Sequence, residues 1–361
     1  MLTARPNILK IRPYEPGRPI DDVKRELGLR SVIKLASNEN PIGPSPKAVR
    51  AVKKCLGGIH RYPDGGSYYL LEMLTQHLKL SKKQIIFGNG SNEIIELASR
   101  AYLREGDEVL LADPSFLVYK LVAQAVGARQ VMVPLKDFRY DLEAMARKVS
   151  RQTRIVCIAN PDNPTGSYVT SGELDRFLKK VSSDTLVILD EAYWEFVDAD
   201  DFPKSFRYLN RGNVLILRTF SKAYGLAGLR IGYGIASPAV IDALHRTRQP
   251  FNVNSVAQTA AAAALKDKTH LKRTQAVVRK GKEFWYRGLD RMGLEYVPTQ
   301  TNFILVNVRQ SGASLFHRLL KQGIIVRDMK AYGLDQFVRI TIGTEKENRR
   351  CLRALQERND P

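Results

Sequence analysis

Between residues 84 and 235, short runs of apolar residues alternate with segments of helical periodicity. The runs cover residues 84–87, 109–112, 130–133, 155–158, 186–189 and 214–217. Strands that are apolar on both faces are typical of a parallel or mixed sheet covered by helices. Helices are predicted between them, for example over 93–103 and 116–126. The pattern therefore predicts an α/β fold, in which ligands bind in the loops that follow the strands.

After residue 264 the pattern changes to that of a smaller α+β unit. It predicts a long basic helix over 271–292, strands near 302–306 and 324–327, a helix over 313–322, a strand over 337–342 and a closing helix from Glu345. The first 40 or so residues are rich in Pro, Arg and Gly and show little core-forming pattern, so we expect an arm that packs on something else, such as a second subunit. We predict an arm with part of the small domain (1–40), a large domain (41–264) and a small C-terminal domain (265–361).

The composition is ordinary for a globular enzyme, with 44% hydrophobic and 26% charged residues in a chain of 361. No apolar run approaches the roughly 18–20 residues that span a bilayer, and the first six residues lack the apolar core of a secretory signal. Cys55, Cys157 and Cys351 lie far apart without a CxxC pair, and the five histidines show no ligand-like spacing. We expect a cytoplasmic protein with reduced thiols, no metal site and no membrane partner.

The formal net charge of +20 is typical of proteins that bind nucleic acids. The basic residues are nevertheless scattered through the predicted helices, without a run of five or six. Pairs such as Lys53-Lys54, Lys82-Lys83 and Arg349-Arg350 are typical of solvated helix faces. We therefore expect no nucleic-acid partner and favour attraction of an anionic, phosphorylated substrate.

The segment from Thr219 to Arg230 places one lysine, Lys222, within a hydroxyl-rich turn. A lysine that forms a Schiff base with an aldehyde cofactor needs close backbone approach, small neighbours and a fixed dianion nearby. The hydroxyls of Thr219 and Ser221 and the guanidinium of Arg230 can all reach one phosphate, because arginine suits bidentate phosphate binding. The alternative is a surface Ser-Lys pair followed by a glycine-rich loop.

Loops that follow two other predicted strands supply further candidates. Gly90, Ser91 and Asn92 lead into a helix, where free N–H groups and the positive end of the dipole suit a phosphate. An ordinary helix cap is the alternative explanation. Phe116 follows the next strand, and it either stacks on a flat ring or packs in the core.

Two more loops carry polar side chains with few structural explanations. Asn163 lies between Pro161 and Pro164, which fix the backbone and present its amide rigidly, although a plain turn is the alternative. Asp190 ends a buried apolar strand, and Tyr193 follows three residues later. Asp190 could cap a helix, but a carboxylate that leaves so apolar a strand needs a strong partner.

In this order and spacing, these features resemble the fold-type I pyridoxal-phosphate aminotransferases. The resemblance covers nearly the whole chain, and within that superfamily it is strongest to the histidinol-phosphate aminotransferase family. The stretches that carry it are 12–14, 34–41, 38–46, 61–64, 221–223, 250–254 and 337–344. It implies a large domain with a mixed, mostly parallel sheet covered by helices, which binds pyridoxal 5'-phosphate, and a smaller α+β domain.

The resemblance also implies roles for individual residues. Lys222 would form the Schiff base and move the proton at the substrate α-carbon, and Asp190 would keep the cofactor ring nitrogen protonated. With Tyr193 they make up the implied catalytic residues. Asn163 and Tyr193 would hydrogen-bond the phenolic oxygen of the ring, and Phe116 would stack on the ring, where tyrosine is common in the family. The implied phosphate ligands are Gly90, Ser91, Asn92, Thr219, Ser221 and Arg230, with Tyr62 reaching in from the neighbouring subunit of a homodimer.

For the substrate, the resemblance implies that Arg339 grips the α-carboxylate in a bidentate fork, with Asn40 near that carboxylate and Tyr14 near the substrate side chain. A strand arginine that faces solvent is the alternative for Arg339. The implied reaction converts L-histidinol phosphate and 2-oxoglutarate to imidazole acetol phosphate and L-glutamate, in histidine biosynthesis. An aromatic-amino-acid aminotransferase and a pyridoxal-phosphate-dependent threonine-phosphate decarboxylase stay open, because Lys222, Asp190 and Arg339 serve all three reactions.

Overall fold

The structure, a computed structural model, describes residues 2–13 and 17–357. Its strands are β1 (Ile33–Lys34), β2 (Ile85–Gly88), β3 (Glu108–Asp113), β4 (Arg129–Pro134), β5 (Thr153–Ala159), β6 (Leu186–Asp190), β7 (Val214–Thr219), β8 (Gly232–Ile235), β9 (Tyr296–Val297), β10 (Phe303–Asn307), β11 (Ile324–Ile325), β12 (Arg327–Asp328) and β13 (Phe337–Thr341). Its α-helices are α1 (Pro6–Leu9), α2 (Ile20–Leu27), α3 (Pro46–Cys55), α4 (Tyr68–Leu78), α5 (Ser91–Tyr102), α6 (Leu117–Val126), α7 (Leu142–Lys148), α8 (Ser171–Lys180), α9 (Pro238–Thr247), α10 (Ser255–Leu265), α11 (Lys268–Met292), α12 (Gly312–Lys321) and α13 (Glu345–Gln356). Short 3-10 turns connect several of them.

All six predicted apolar runs form strands of one seven-stranded sheet, in the order β2-β8-β7-β6-β5-β3-β4. Five strands, β3 to β7, run parallel, and β8 pairs antiparallel with both β2 and β7. All residues of β6 and β7 are buried, as near-continuous apolar strands require when both faces are covered. The predicted α/β class with a mixed, mostly parallel sheet is confirmed. Because parallel strands end at one edge, the polar loops after β5, β6 and β7 meet there.

A second sheet is antiparallel, four-stranded and ordered β12-β13-β10-β9. It packs with α11, α12 and α13 around a core that includes Trp285, Phe303 and Ile340. The predicted elements of this part all form, with one difference. The strand predicted near 324–327 is split, because β11 pairs with β1 whereas β12 pairs with β13.

The N-terminal segment packs on its own chain, which corrects part of the expectation for it. Val23 and Leu35 are fully or almost fully buried, and β1 pairs in parallel with β11 in a separate two-stranded sheet, which attaches this segment to the C-terminal unit. Farther upstream, the Arg5 guanidinium donates to the Ala125 carbonyl (2.9 Å) and the Asn7 amide donates to the Gln124 carbonyl (2.8 Å), at the end of α6. The weak core pattern hid these contacts, since they use only a few apolar side chains.

Two main hydrophobic cores separate the chain into two units. The first core runs from Ala48 to Leu265, and the second is built mainly from residues 278–355. This distribution supports the division predicted at residue 264, which we keep as a proposal. Tyr193 and Ala223 of the large-sheet loops belong to the second core, so the loops at the strand ends lie between the two units.

Candidate active site

A cavity of about 290 Å³ lies at the ends of the parallel strands, between the two units. Most of the side chains predicted for the site line it: Ser91, Asn92, Phe116, Asn163, Asp190, Tyr193, Thr219, Ser221, Lys222, Arg230 and Arg339. The volume is near the lower end of the range for small-molecule sites. The structure therefore brings together, from seven separate loops and strands, groups that are up to 248 residues apart in sequence.

One corner of the cavity is built by the start of α5 and by Arg230. Gly90 has φ 78° and no side chain caps the helix, so the alternative of an ordinary cap by Ser91 or Asn92 does not apply. This positive φ favours glycine, and a Cβ atom at Gly90 would also push against the end of the Arg230 side chain. The guanidinium also donates from Nη1 to Ser221 Oγ (3.5 Å). Uncapped N–H groups, two hydroxyl side chains and an arginine form a corner suited to a phosphate.

Lys222 projects from the turn after β7 into the same cavity. Its ammonium donates to the Ser37 carbonyl at 3.3 Å and lies 5.7 Å from the centroid of the Tyr193 ring. Burial, reinforced by the positive charges of Arg339 and Arg230, lowers the pKa of Lys222 to about 8. The neutral amine is therefore accessible near neutral pH, which is a property of nucleophilic and proton-transferring lysines.

Asp190 ends β6 at the floor of the cavity and is 5% exposed. Its Oδ2 accepts a hydrogen bond from the Tyr119 hydroxyl (2.7 Å), and its Oδ1 accepts one from the Ala192 N–H (3.2 Å). Burial raises the pKa of Asp190 to about 6, while the two donors and the charge of Lys222 oppose the rise. The carboxylate is thus held anionic at neutral pH in a place where a cation is a favourable neighbour.

Asn163 and Tyr193 follow β5 and β6, and both form hydrogen bonds with residues outside the large-sheet unit, Arg339 and Asn38. The Tyr193 hydroxyl accepts a hydrogen bond from the Asn38 amide (2.9 Å), and Asn38 is in turn fixed by Thr341, whose Oγ1 accepts from the Asn38 N–H (2.9 Å). Burial raises the pKa of Tyr193, so the phenol is neutral and can donate. Asn163 accepts a hydrogen bond from Arg339 through its side-chain oxygen, which orients its amide nitrogen.

Arg339 lies in the middle of β13 and is 7% exposed, so the alternative of a solvent-facing strand residue does not apply. Its Nη2 donates to the Ala36 carbonyl (3.0 Å), its Nη1 donates to Asn163, and its guanidinium lies over the Phe303 ring at 5.0 Å. Its Nε is buried without a hydrogen-bond partner, and among the described residues no carboxylate lies within ion-pair distance. A buried guanidinium with an unpaired N–H group and no ion-pair partner can bind an anionic ligand.

The predicted site residues Asn40 and Tyr62 lie outside the cavity lining. The Asn40 amide donates to the Ala223 carbonyl (2.8 Å) and to Thr274 Oγ1 (3.2 Å), so Asn40 supports the Lys222 turn and is not part of the cavity lining. Tyr62 is 84% exposed and stacks on Phe251 at a centroid distance of 4.8 Å. Tyr14 lies outside the described residues.

The lining residues that were not identified from the sequence include Asn38, Glu39, Tyr119, Arg327 and Tyr332. Asn38 has φ 55°, but a backbone angle leaves no mark in a sequence. Glu39 pairs with Lys34 at 2.9 Å. Tyr119 sits three positions after Phe116 in an apolar helix, where a core tyrosine is the ordinary expectation. Arg327 is the first residue of β12 and pairs with Arg339 of β13, but in the sequence it was only the last residue of a predicted strand.

The charged groups of the lining are predominantly cationic. Lys222, Arg230, Arg327 and Arg339 face two carboxylates, Glu39 and Asp190. A cavity with an excess of cationic groups attracts and binds anions.

In the part of the chain that the structure describes, no helix combines the length and apolar character needed to cross a membrane.

Comparison with known proteins identifies the family. Residues 30–355 match the family described as Aminotransferase class I and II. Among relatives, the histidinol-phosphate aminotransferase of Moorella thermoacetica is 49% identical over 98% of this chain and 92% of its own length. That of Methylobacillus flagellatus is 48% identical over 98% and 96%, respectively.

Solved structures agree with this fold. The histidinol-phosphate aminotransferase of Sinorhizobium meliloti, solved in complex with pyridoxal-5'-phosphate, superimposes with a TM-score of 0.89 at 30% identity, over 97% of this chain and 95% of that chain. A Thermus thermophilus aspartate aminotransferase shares the fold with a TM-score of 0.85 at 20% identity, over 99% of this chain and 98% of that one. This chain therefore belongs to the class I and II aminotransferase family.

Proposed function

We propose that the protein is a pyridoxal-phosphate-dependent histidinol-phosphate aminotransferase of histidine biosynthesis. It transfers the amino group of L-histidinol phosphate to 2-oxoglutarate and yields imidazole acetol phosphate and L-glutamate. The observation that carries the proposal is the buried guanidinium of Arg339, whose Nε has no hydrogen-bond partner among the described residues, in the same cavity as Lys222. The relatives that match nearly the whole chain at 45–49% identity, and that are named for this activity, support it.

The residues of the cavity fit the cofactor. The positive φ of Gly90 favours glycine before α5, where a side chain would displace the Arg230 guanidinium, and the uncapped helix start supplies unpaired N–H groups. Ser91, Asn92, Thr219, Ser221 and Arg230 would hold the phosphate, and Phe116 would pack on the ring. Asp190 and Lys222 would take the ring nitrogen and the aldehyde carbon. When bound, pyridoxal phosphate supplies an electron sink that stabilises negative charge on the carbon bonded to the transferred nitrogen.

The chain's own groups then perform the proton transfer. With a pKa of about 8, Lys222 Nζ is partly unprotonated near neutral pH, so it can take a proton from the substrate α-carbon and return it to a neighbouring carbon. The negative charge of Asp190 stabilises positive charge at the floor of the cavity throughout. Tyr193 donates its phenolic proton as a hydrogen bond toward the cavity, since its own oxygen is already oriented by Asn38.

The Arg339 guanidinium can bind the anionic group of both substrates. The α-carboxylate of glutamate or 2-oxoglutarate matches the planar fork of a guanidinium. Histidinol phosphate lacks an α-carboxylate, but its phosphate ester lies beyond the α-carbon and can accept hydrogen bonds from the same fork. Arg327 in the lining adds a second positive charge for a dianion. The cationic excess of the cavity therefore favours a phosphorylated amino donor over an apolar one.

We infer that the protein works as a homodimer in which Tyr62 reaches the partner's phosphate corner. Tyr62 and Tyr69 are 84% and 80% exposed, and Ile59, Tyr68 and Phe251 are exposed beside them in sequence or space. Large exposed apolar groups in one region are typical of an interaction surface. A second copy is the natural occupant, because a twofold interface buries the same patch on both chains.

Three free cysteines, two of them buried, support a reducing, cytoplasmic location.

The experiment is a product assay on the purified protein loaded with pyridoxal phosphate. Histidinol phosphate and 2-oxoglutarate should give stoichiometric glutamate, and removal of the cofactor should abolish the reaction. Phenylalanine, tyrosine and threonine phosphate are the competing substrates. Carbon dioxide release from threonine phosphate, or glutamate formation only with an aromatic amino acid, would assign the site to the corresponding alternative.

A further inference from the structure

Tyr119 is a buried residue of the cavity for which the proposed function gives no role. It lies on the first turns of α6 and is 2% exposed. Its ring meets Phe116 edge-on, with the centroids 5.5 Å apart and the planes at 86°. Its hydroxyl donates to Asp190 Oδ2 at 2.7 Å. One side chain thus contacts both the residue predicted to stack on the cofactor ring and the carboxylate predicted to pair with the ring nitrogen.

The two donors to Asp190 differ in what they can do. The Ala192 N–H bond to Oδ1 is longer, at 3.2 Å, and comes from the backbone two residues away. The Tyr119 hydroxyl comes from a different element, 71 residues away, and fixes the carboxylate from the side. Among the described residues, no ion pair to Asp190 is present within 4 Å. Tyr119 is therefore the main side-chain support for this buried carboxylate.

We propose that Tyr119 is a positioning residue: its hydrogen bond fixes the orientation of the Asp190 carboxylate and keeps its negative charge available to the ring nitrogen of the cofactor. The proposal rests on the proposed function, because it requires a cofactor whose ring nitrogen would pair with Asp190. A hydrogen bond to the charged form of a carboxylate lowers its affinity for a proton. Without it, Asp190 would compete better for the proton that it should leave on the ring nitrogen.

The chain offers a matched control in Tyr140. This tyrosine is also buried, and its hydroxyl is also hydrogen-bonded, in this case to Ser115 Oγ (3.1 Å) and the Ala159 N–H (3.1 Å). It does not contact Asp190 and is not part of the cavity lining. Tyr119→Phe and Tyr140→Phe each delete one oxygen and keep a buried ring, so both preserve packing and lose a hydrogen-bonded hydroxyl.

The test compares wild type, Tyr119→Phe and Tyr140→Phe after loading with pyridoxal phosphate labelled with ¹⁵N in the ring. The readouts are the ¹⁵N chemical shift of the ring nitrogen, the Kd for the cofactor, and kcat and KM for histidinol phosphate. In Tyr119→Phe we expect the ¹⁵N shift to move toward that of unprotonated pyridine and kcat to fall about tenfold, with KM changed less than kcat, since a hydrogen bond to a charged group is at stake. Tyr140→Phe should keep the wild-type ¹⁵N shift.

Two results would overturn the inference. One is a Tyr119→Phe protein whose ¹⁵N shift and kcat stay within error of wild type. The other is a fall in kcat without any change in the ¹⁵N shift, as a loss of packing alone would give. A wild-type protein that binds no cofactor, or that holds the ring nitrogen unprotonated, overturns the proposed electron sink and the Tyr119 inference together, and so is distinguished from failure of the inference alone.

Discussion

The two walls of the cavity are built in different ways. The floor consists of residues at the ends of parallel strands: Asp190 is the last residue of β6, and Thr219 to Lys222 begin at the last residue of β7. Both strands are fully buried. The opposite wall consists of Arg339 in the middle of β13 and of Asn38 in a loop 303 residues away from its partner Thr341. The floor is formed by the seven-stranded sheet alone. The opposite wall forms only when the N-terminal segment packs beside the four-stranded sheet.

The two walls also differ in the chemical properties of their side chains. The floor holds groups with perturbed proton affinities, Lys222 and Asp190, whose pKa values burial moves in opposite directions. The opposite wall holds a fixed charge that has no proton to exchange at neutral pH, the Arg339 guanidinium. We infer that the floor provides chemistry common to the family, and that the wall binds the anionic part of the substrate.

The largest effect is expected at the floor, for Lys222→Ala. A positioned acid–base group contributes about 10²–10⁴-fold to the rate, so kcat with histidinol phosphate should fall at least about a thousandfold. Borohydride reduction of the loaded wild-type protein should attach the cofactor to Lys222, as peptide mass mapping can show. Lys282→Ala is the control, because Lys282 is also buried but bonds to Asp198 away from the cavity. A label on another lysine, or substantial activity of Lys222→Ala, would contradict the assignment.

The second prediction concerns the effect of the buried Lys222 on the free energy of unfolding. Its pKa of about 8 lies below the usual 10.5, so burial penalises the ammonium fully below pH 8, and the penalty disappears as the pH rises through 10.5. Cofactor-free Lys222→Met should therefore be roughly 1–3 kcal/mol more stable than wild type at pH 7. Denaturant unfolding at pH 7, 9 and 10.5 measures the difference. A gain that does not shrink with rising pH would contradict the perturbed pKa.

The third prediction concerns the opposite wall. Arg339→Lys keeps the charge and loses the planar fork, so kcat/KM should fall about 10- to 100-fold for both histidinol phosphate and 2-oxoglutarate, as for a lost charge-assisted pair. Arg309→Lys, at an exposed ion pair with Glu295, is the control. Single-turnover rates for each half-reaction provide the measurement. A defect confined to one substrate would show that Arg339 does not serve both.

The smallest effect is expected for the exposed surface, which belongs to neither wall. Co-expression of Lys222→Ala and Tyr62→Ala chains gives hybrid dimers in which one site of two has both residues intact. If Tyr62 acts across the interface, activity should recover to roughly a quarter of wild type, because half of the dimers are hybrids with one intact site each. The two parent variants are the controls. No recovery on mixing would mean that Tyr62 acts within its own chain or not at all.

Residues at the ends of strands could be predicted from the sequence, whereas residues defined by tertiary contacts could not. Asp190, Lys222 and Arg230 follow apolar strands in a regular order, so pattern and spacing were enough to identify them as candidates. Tyr119 was missed because it has the helical spacing of a core residue, and its partner Asp190 lies 71 positions away. Asn40 is a clear case of a predicted residue whose hydrogen bonds, to the Ala223 carbonyl and Thr274, lie beside the site and not in it. Such tertiary contacts leave no periodic signal.

The most direct test of the central claim is a single-turnover comparison of amino donors on the cofactor-loaded protein. The absorbance of the bound cofactor reports its conversion to the amine form by histidinol phosphate, glutamate, phenylalanine or tyrosine. The account predicts the highest kcat/KM for histidinol phosphate, because its phosphate meets the cationic wall that contains Arg339 and Arg327. Faster conversion by phenylalanine or tyrosine than by histidinol phosphate would contradict the proposed substrate, while the fold and the roles of the floor residues would stand.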